Sequence, residues 1–206
     1  LIHGLCAALS VHRWCLRSDV FRIYCLQLLV GSRRVSFKAM SKSNTLTHTI
    51  RQFVADDLPA LKNCFVELQE FERELVSHRL PGEEIADRYI QALLQRKKEN
   101  TAEIFVAEVE GKAVGFLSVL LSEKLDADLN EPIELAYLSD IVILKEYRKY
   151  GIGEALVKQA EQYAVSKNTM YLSANVLANN LGGRALYGKA GFNEYELFML
   201  KKLPTT

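Results

Sequence analysis

The sequence predicts an α/β fold, a mixed central sheet with helices on both faces, in a single domain. Three observations point there. At 206 residues the chain can build one well-cored domain, whereas two halves would each bury too little apolar surface. Hydrophobic residues at 49% and charged residues at 25% match a water-soluble globular protein, with no low-complexity stretch. From about residue 48 the apolar pattern switches between period two and period 3.6 in the order β-α-α-β-β-β-α-β-α-β, without internal repeats.

The first forty residues are read apart from the rest. The chain opens at Leu1, its first methionine is Met40, and the polar run Ser41-Lys42-Ser43-Asn44 follows. A translation start at Met40 would leave residues 1–39 outside the functional protein. The alternative is a targeting peptide, because the segment is basic and nearly free of acids. A membrane span is not expected, since His3, His12, Arg13, Arg17, Asp19 and Arg22 interrupt every apolar run short of the ~18 residues needed. The expected division is an N-terminal extension at 1–45 and the functional domain at 46–206.

Within that domain, His48 to Val54 alternates as a first strand, and Asp56-Asp57-Leu58-Pro59 supplies an N-cap carboxylate with proline in the first turn. Leu58, Leu61, Phe65, Leu68, Phe71 and Leu75 form one face of an amphipathic helix. Pro81-Gly82 breaks it, and Ile85, Tyr89, Ala92, Leu93 and Leu94 mark a second helix. Ile104–Ala107 and Ala113–Leu117 read as a hairpin turning at Glu110-Gly111-Lys112. After an acidic loop at Asp126, Asp128, Asn130 and Glu131, residues Ile133 to Leu144 form a central strand. A helix from Gly151 carries Leu156, Ala160, Tyr163 and Ala164. Then come a strand at Met170 to Val176, a short helix from Asn180 to about Lys189, and a final strand from about Glu194 to Leu200. Exposed edge strands make a homodimer the expected assembly.

Charge and cysteine usage narrow the function. The net charge is +1. Residues 1–39 hold six basic residues against Asp19 alone, a surplus of five that leaves the remainder at −4. A mildly acidic body gives no footprint for nucleic acid and favours a cationic partner. Cys6, Cys15, Cys25 and Cys64 form no CxxC pair, so neither a metal site nor a disulfide framework is expected and a cytoplasmic location follows. Cys64, inside a helical pattern, reads as core.

The chemistry lies between the central strand and the helix after it. Arg148-Lys149-Tyr150-Gly151-Ile152-Gly153 is a glycine-containing loop at a helix N-terminus, where free N–H groups and the helix dipole favour an anion such as a pyrophosphate. Two glycines let the backbone approach closely, and Arg148 can contact the anion or brace the loop. Many turns share this pattern, so alone it is weak. A Walker loop would need Gly-Lys-Ser/Thr, and a dinucleotide fingerprint would need a small residue where Leu156 stands.

Tyr137-Leu138-Ser139-Asp140-Ile141-Val142-Ile143 followed by Glu146 to Gly153 resembles the strand-loop-helix signature of the GNAT superfamily of N-acetyltransferases. Asn180 followed by Ala185-Leu186-Tyr187-Gly188-Lys189-Ala190-Gly191-Phe192 is similar to the family's second signature. The resemblance spans about residues 48–202, with specific motifs from 137 to 192. Gly183 departs from it, standing where the family usually has alanine, a change expected to loosen the short helix.

The resemblance implies direct acetyl transfer from acetyl-CoA to a primary amine, with no metal and no enzyme-bound acyl group. It places the pantetheine arm along Ile141, Val142 and Ile143, and the pyrophosphate on Arg148, Lys149, Tyr150, Gly151, Ile152, Gly153 and Glu154, with Asn180 and Tyr187 also at the cofactor. Tyr187 matches the tyrosine that protonates the departing thiolate. For the base that takes the amine proton, Asp140 is the first candidate and Glu134 the second; some relatives place a glutamate at the position of Ser139. The acidic residues Glu67, Glu70, Glu72 and Glu74 on the first helix, with Asp126, Asp128, Glu131 and Glu134, suit a small cationic amine. Modification of protein N-termini or lysines, and a non-catalytic acyl-CoA sensor, stay open as alternatives.

Overall fold

The computed structural model describes residues 46–124 and 133–204. The N-terminal extension and the acidic loop with Asp126, Asp128, Asn130 and Glu131 lie outside the described residues. Five strands form one sheet in the order β1 (Thr49–Gln52), β2 (Ala102–Val109), β3 (Lys112–Lys124), β4 (Glu134–Ile143) and β5 (Tyr171–Ala174). The first four pair antiparallel and β5 joins β4 in parallel, the mixed sheet that the element order predicts. Four helices accompany it: α1 (Leu58–Leu75), α2 (Gly82–Lys98), α3 (Ile152–Ser166) and α4 (Leu181–Lys189).

Strand pleating divides the core into two layers. Ile104, Phe116 and Val142 face Leu61, Cys64 and Phe65 of α1 and Ala86, Ile90 and Leu93 of α2. Phe105, Val119, Ala136 and Leu138 face Ile152, Leu156, Val157, Ala160 and Ala164 of α3. Helices therefore cover both faces.

Two local expectations are corrected. The carboxylate at the start of α1 does not cap it. Asp57 stands at the N-cap, but its side chain makes no cap bond to the helix. The Asp57 carboxylate instead accepts the Val54 N–H at 2.9 Å and both terminal nitrogens of Arg51 at 2.7 Å, because a guanidinium offers two parallel donors where the helix offers a single N–H. The final strand at Glu194–Leu200 does not form. Tyr195, Leu197, Phe198, Met199 and Leu200 are 74–83% exposed. Alternation alone cannot make a strand, since its backbone groups need a neighbouring ladder, and β5 pairs only with β4 among the described residues.

Candidate active site

The loop before α3 has the geometry that its glycines predict. Gly151 is the N-cap with φ of 82°, a conformation that costs glycine nothing. The first intrahelical bond runs from Ala155 N to Gly151 O at 3.0 Å, so the N–H groups of the opening turn have no partner within the helix. At Gly153 a Cβ would lie 3.3 Å from Leu186 Cδ2 and 3.4 Å from Ile143 Cδ1. The end of β4, the start of α3 and α4 thus converge on a backbone with no room to spare.

Arg148 braces this loop. Its Nε donates to the Ile143 carbonyl at 2.7 Å, its Nη2 to Glu67 Oε1 at 2.6 Å, and the Lys145 N–H reaches the same oxygen at 3.1 Å. The guanidinium also lies over the Phe71 ring, 5.9 Å from its centre. Of the two roles that the sequence allows Arg148, contact with an anion or bracing of the loop, these bonds are the bracing one. They pin the end of β4 and the loop to α1.

A bulge in β4 shapes what lies beside the loop. Ser118 pairs with Asp140 and Val119 with Leu138, leaving Ser139 as the extra residue. Ala136 and Leu138 pack with α3, yet beyond the bulge Ile141 and Ile143 take that face and Val142 packs toward α1 and α2. Pairing with β5 ends at Leu138–Ala174. From Ser139 to Ile143 one side of β4 therefore has no strand partner among the described residues.

Four polar side chains meet at the bulge. The Asp140 carboxylate is buried and accepts Tyr89 OH at 2.7 Å and Ser118 Oγ at 2.5 Å on the same oxygen, Oδ2. Tyr89 OH also lies 2.9 Å from Ser139 Oγ, and its ring stacks on Phe65 at 4.3 Å. Burial pushes the Asp140 carboxyl above its ordinary value, opposed by the hydroxyls of Ser118, Tyr89 and Ser139 and by the charge of Arg79. Burial also raises the Tyr89 phenol, with the Asp140 charge adding to it. Glu72, half-buried and paired with Arg79 at 2.8 Å, is raised by burial, and the charge of Asp140 pushes it the same way.

Tyr187 completes the group from α4. It is buried, and burial raises its phenol well above 10, helped by Tyr137, Asp140 and Glu72. Its position follows from how α4 begins and ends. Asn180 caps the start by accepting the Gly183 N–H at 2.8 Å. At the other end Gly191 takes φ of 88°, Gly191 N bonds Gly188 O at 3.2 Å, and Phe192 N bonds Tyr187 O at 3.0 Å, the paired bonds of a Schellman cap. Phe192 then packs on the Tyr187 ring at 5.2 Å.

Comparison with known proteins decides the family. The profile described as Acetyltransferase (GNAT) family matches residues 65–192. The chain belongs to the GNAT family. It is 30% identical over 157 residues to an uncharacterized N-acetyltransferase of Methanocaldococcus jannaschii, covering 73% of this chain and 63% of that one. It is 29% identical over 109 residues to an N-alpha-acetyltransferase of Sulfurisphaera tokodaii, covering 50% of this chain and 64% of that one. This chain thus spans somewhat under two thirds of each relative's length. Among solved structures, AAC(6')-Iy in complex with a bisubstrate analogue, CoA-S-monomethyl-acetylneamine, superposes with a TM-score of 0.56 at 18% identity, over 77% of this chain and 99% of that one.

With the GNAT fold in place, the expected site residues divide into groups. Ile141, Val142 and Ile143 lie on the unpaired stretch of β4, and Lys149, Tyr150, Gly151, Ile152 and Gly153 form the loop and helix start. Glu154 is exposed and accepts Lys189 Nζ at 3.2 Å, which ties α3 to α4. The charge of Asp140 is close enough to Tyr187 to help raise its phenol. Glu134 is exposed at the start of β4, six residues from Asp140 and about 20 Å away along an extended strand, and is not brought to this group. Of the four acidic residues on α1, Glu67 holds Arg148, Glu70 holds the Gly82 N–H, and Glu72 alone joins the Asp140 cluster. Tyr89 and Ser118 were not foreseen as site residues. Their neighbours in sequence carry no signal, because it is pairing across the sheet and packing of α2 that bring them to Asp140.

Proposed function

We propose that the chain is an acetyl-CoA-dependent N-acetyltransferase that moves the acetyl group directly to a primary amine, and that the amine is small and cationic. One observation carries the reading. The anion-favouring start of α3 opens beside the unpaired stretch of β4, and a buried phenol and a buried carboxylate stand at the far end of that stretch. A diphosphate fits the N–H groups of the α3 turn, and a β4 stretch without a strand partner on one side suits an amide-bearing arm.

Each side chain then has one task. Tyr187, whose proton affinity is raised by burial, stays protonated at neutral pH and donates to the departing thiolate sulfur. Asp140 is the proton sink for the amine, its ionised form being disfavoured by burial. Glu72 supplies negative charge on the acceptor side. Transfer without an acyl-enzyme agrees with the state of Cys64, which is buried and pushed up to about 12, too weakly ionised to act as a nucleophile. A cytoplasmic enzyme and a homodimer belong to the same proposal.

The name of the Sulfurisphaera tokodaii relative favours a second reading, acetylation of protein N-termini. Supplying acetyl-CoA with polyamines, aminoglycosides, amino acids, N-terminal peptides and lysine peptides, and weighing the products by mass, separates the two. We expect a mass gain of one acetyl group on a polyamine or aminoglycoside. Preference for peptides would transfer the proposal to protein substrates, and tight acetyl-CoA binding without any product would favour a sensor.

A further inference from the structure

Asp140 cannot itself meet an amine, because it is buried and its Oδ2 already accepts two hydroxyls. The bonding pattern supplies a way out. An ionised carboxylate has no hydrogen to give, so Tyr89 must donate to Asp140. The phenol has a single hydrogen, so whenever Tyr89 donates to Asp140 the 2.9 Å contact is made with the Ser139 hydroxyl as donor. Ser139 Oγ keeps a lone pair for a donor from outside. Ser139 is also the less buried end of the chain, and the first residue of β4 beyond its pairing with β5.

We propose that Ser139, Tyr89 and Asp140 form a proton relay that takes the proton from the acceptor amine during acetyl transfer, with Ser139 the group that touches the amine. This rests on the acetyl-transfer reading. As the nitrogen attacks the thioester carbon its N–H becomes acidic. That N–H bond breaks as a new O–H bond forms at Ser139, the former Ser139 proton passes to Tyr89, and the Tyr89 proton passes to Asp140 Oδ2. One proton leaves nitrogen, one arrives on the carboxylate, and both hydroxyls end as they began. The bulge makes the relay feasible, since the extra residue brings Ser139 and Asp140 within reach of one phenol on α2. The groups that bear on it are Ser118 from β3, Tyr137 from β4, Tyr187 from α4, and Glu72 with Arg79 from α1 and the turn after it.

Tyr89→Phe removes one oxygen and leaves the ring stacked on Phe65, while Asp140→Asn preserves shape but cannot take the proton. With spermidine, tobramycin and an N-terminal peptide as probe amines, each variant should lose about 100-fold in kcat, the contribution of a positioned base. KM for acetyl-CoA should move by less than about threefold, since a base does not bind the cofactor. The rise of kcat with pH in the wild type should flatten in both variants. Ser139→Ala, at a half-buried position that threatens the fold least, should show the same loss. A readout apart from turnover is carboxyl carbon NMR of the protein alone, where loss of the Tyr89 donor should shift the Asp140 titration to higher pH. Variants with wild-type kcat and an unaltered pH profile, or an Asp140 titration indifferent to Tyr89→Phe, would overturn the relay alone. A wild type inactive with every amine would overturn the acetyl-transfer reading as well.

Discussion

Tyr187 illustrates what burial does to a single side chain. Its phenol is enclosed by α4 and the sheet and pushed above its ordinary value, so the acid form persists throughout the usable pH range. Tyr187→Phe should lower kcat roughly 10- to 100-fold and leave acetyl-CoA affinity unchanged, because a thiolate leaves without help but more slowly. In the wild type, steady-state rates should show no alkaline decline below about pH 10, the unperturbed tyrosine value. A fall near pH 8 would contradict the assignment. At this scale the motif residues pointed to Tyr187 and Asp140, the two groups on which the proposal rests. Tyr89 was legible only as a helix-face residue, since its meeting with Asp140 joins positions 51 apart in sequence.

At the scale of elements, sequence succeeded mostly where structure is set locally, the Asp57 cap being the exception. The Gly151 turn and the start of α4 at Asn180 each depend on residues within a few positions of one another. The helix periods of α1, α2 and α3 are equally local. Failure came where pairing decides: the bulge at Ser139 exists only against β3, and the run after Glu194 had the pattern of a strand without a partner. Gly183 adds a correction of sense. A Cβ there would lie 2.8 Å from Asn180 Nδ2, so glycine accommodates the cap and does not merely loosen the helix. Asn180→Ala should cost about 1 kcal/mol in urea unfolding. Gly151→Ala should cost about 1 kcal/mol, for the left-handed φ that alanine resists. It should also weaken acetyl-CoA binding in a calorimetric titration by distorting the α3 start.

Across the whole molecule, the Arg51 network joins the first strand to the rest. Arg51 bonds Asp57 before α1 and Glu108 on β2, each at 2.7 Å. The Arg51 bond holds the Asp57 carboxyl below its ordinary value of 3.8. A carboxylate with a lowered folded pKa contributes stability above its unfolded pKa and loses it as pH falls through the folded one. Asp57→Asn should therefore destabilise by about 1 kcal/mol at pH 7, since a part-buried pair is broken on one side while Arg51 keeps Glu108. The gap between variant and wild type should narrow in unfolding curves as pH falls below 3.8 and through the folded value. The fold class was legible at this scale because element order and two amphipathic faces dictate a covered mixed sheet. We further expect residues 46–206 alone to match the full chain in acetyl transfer, and a deficit in kcat/KM would assign a role to the N-terminal extension.

The most direct test is the rate of CoA-thiol release from acetyl-CoA by the wild-type protein with and without a primary amine. Release that rises with amine concentration and saturates, matched mole for mole by acetylated amine, is the predicted result. Release equal in both conditions, or acetyl groups found on the protein and not on the amine, would contradict direct transfer.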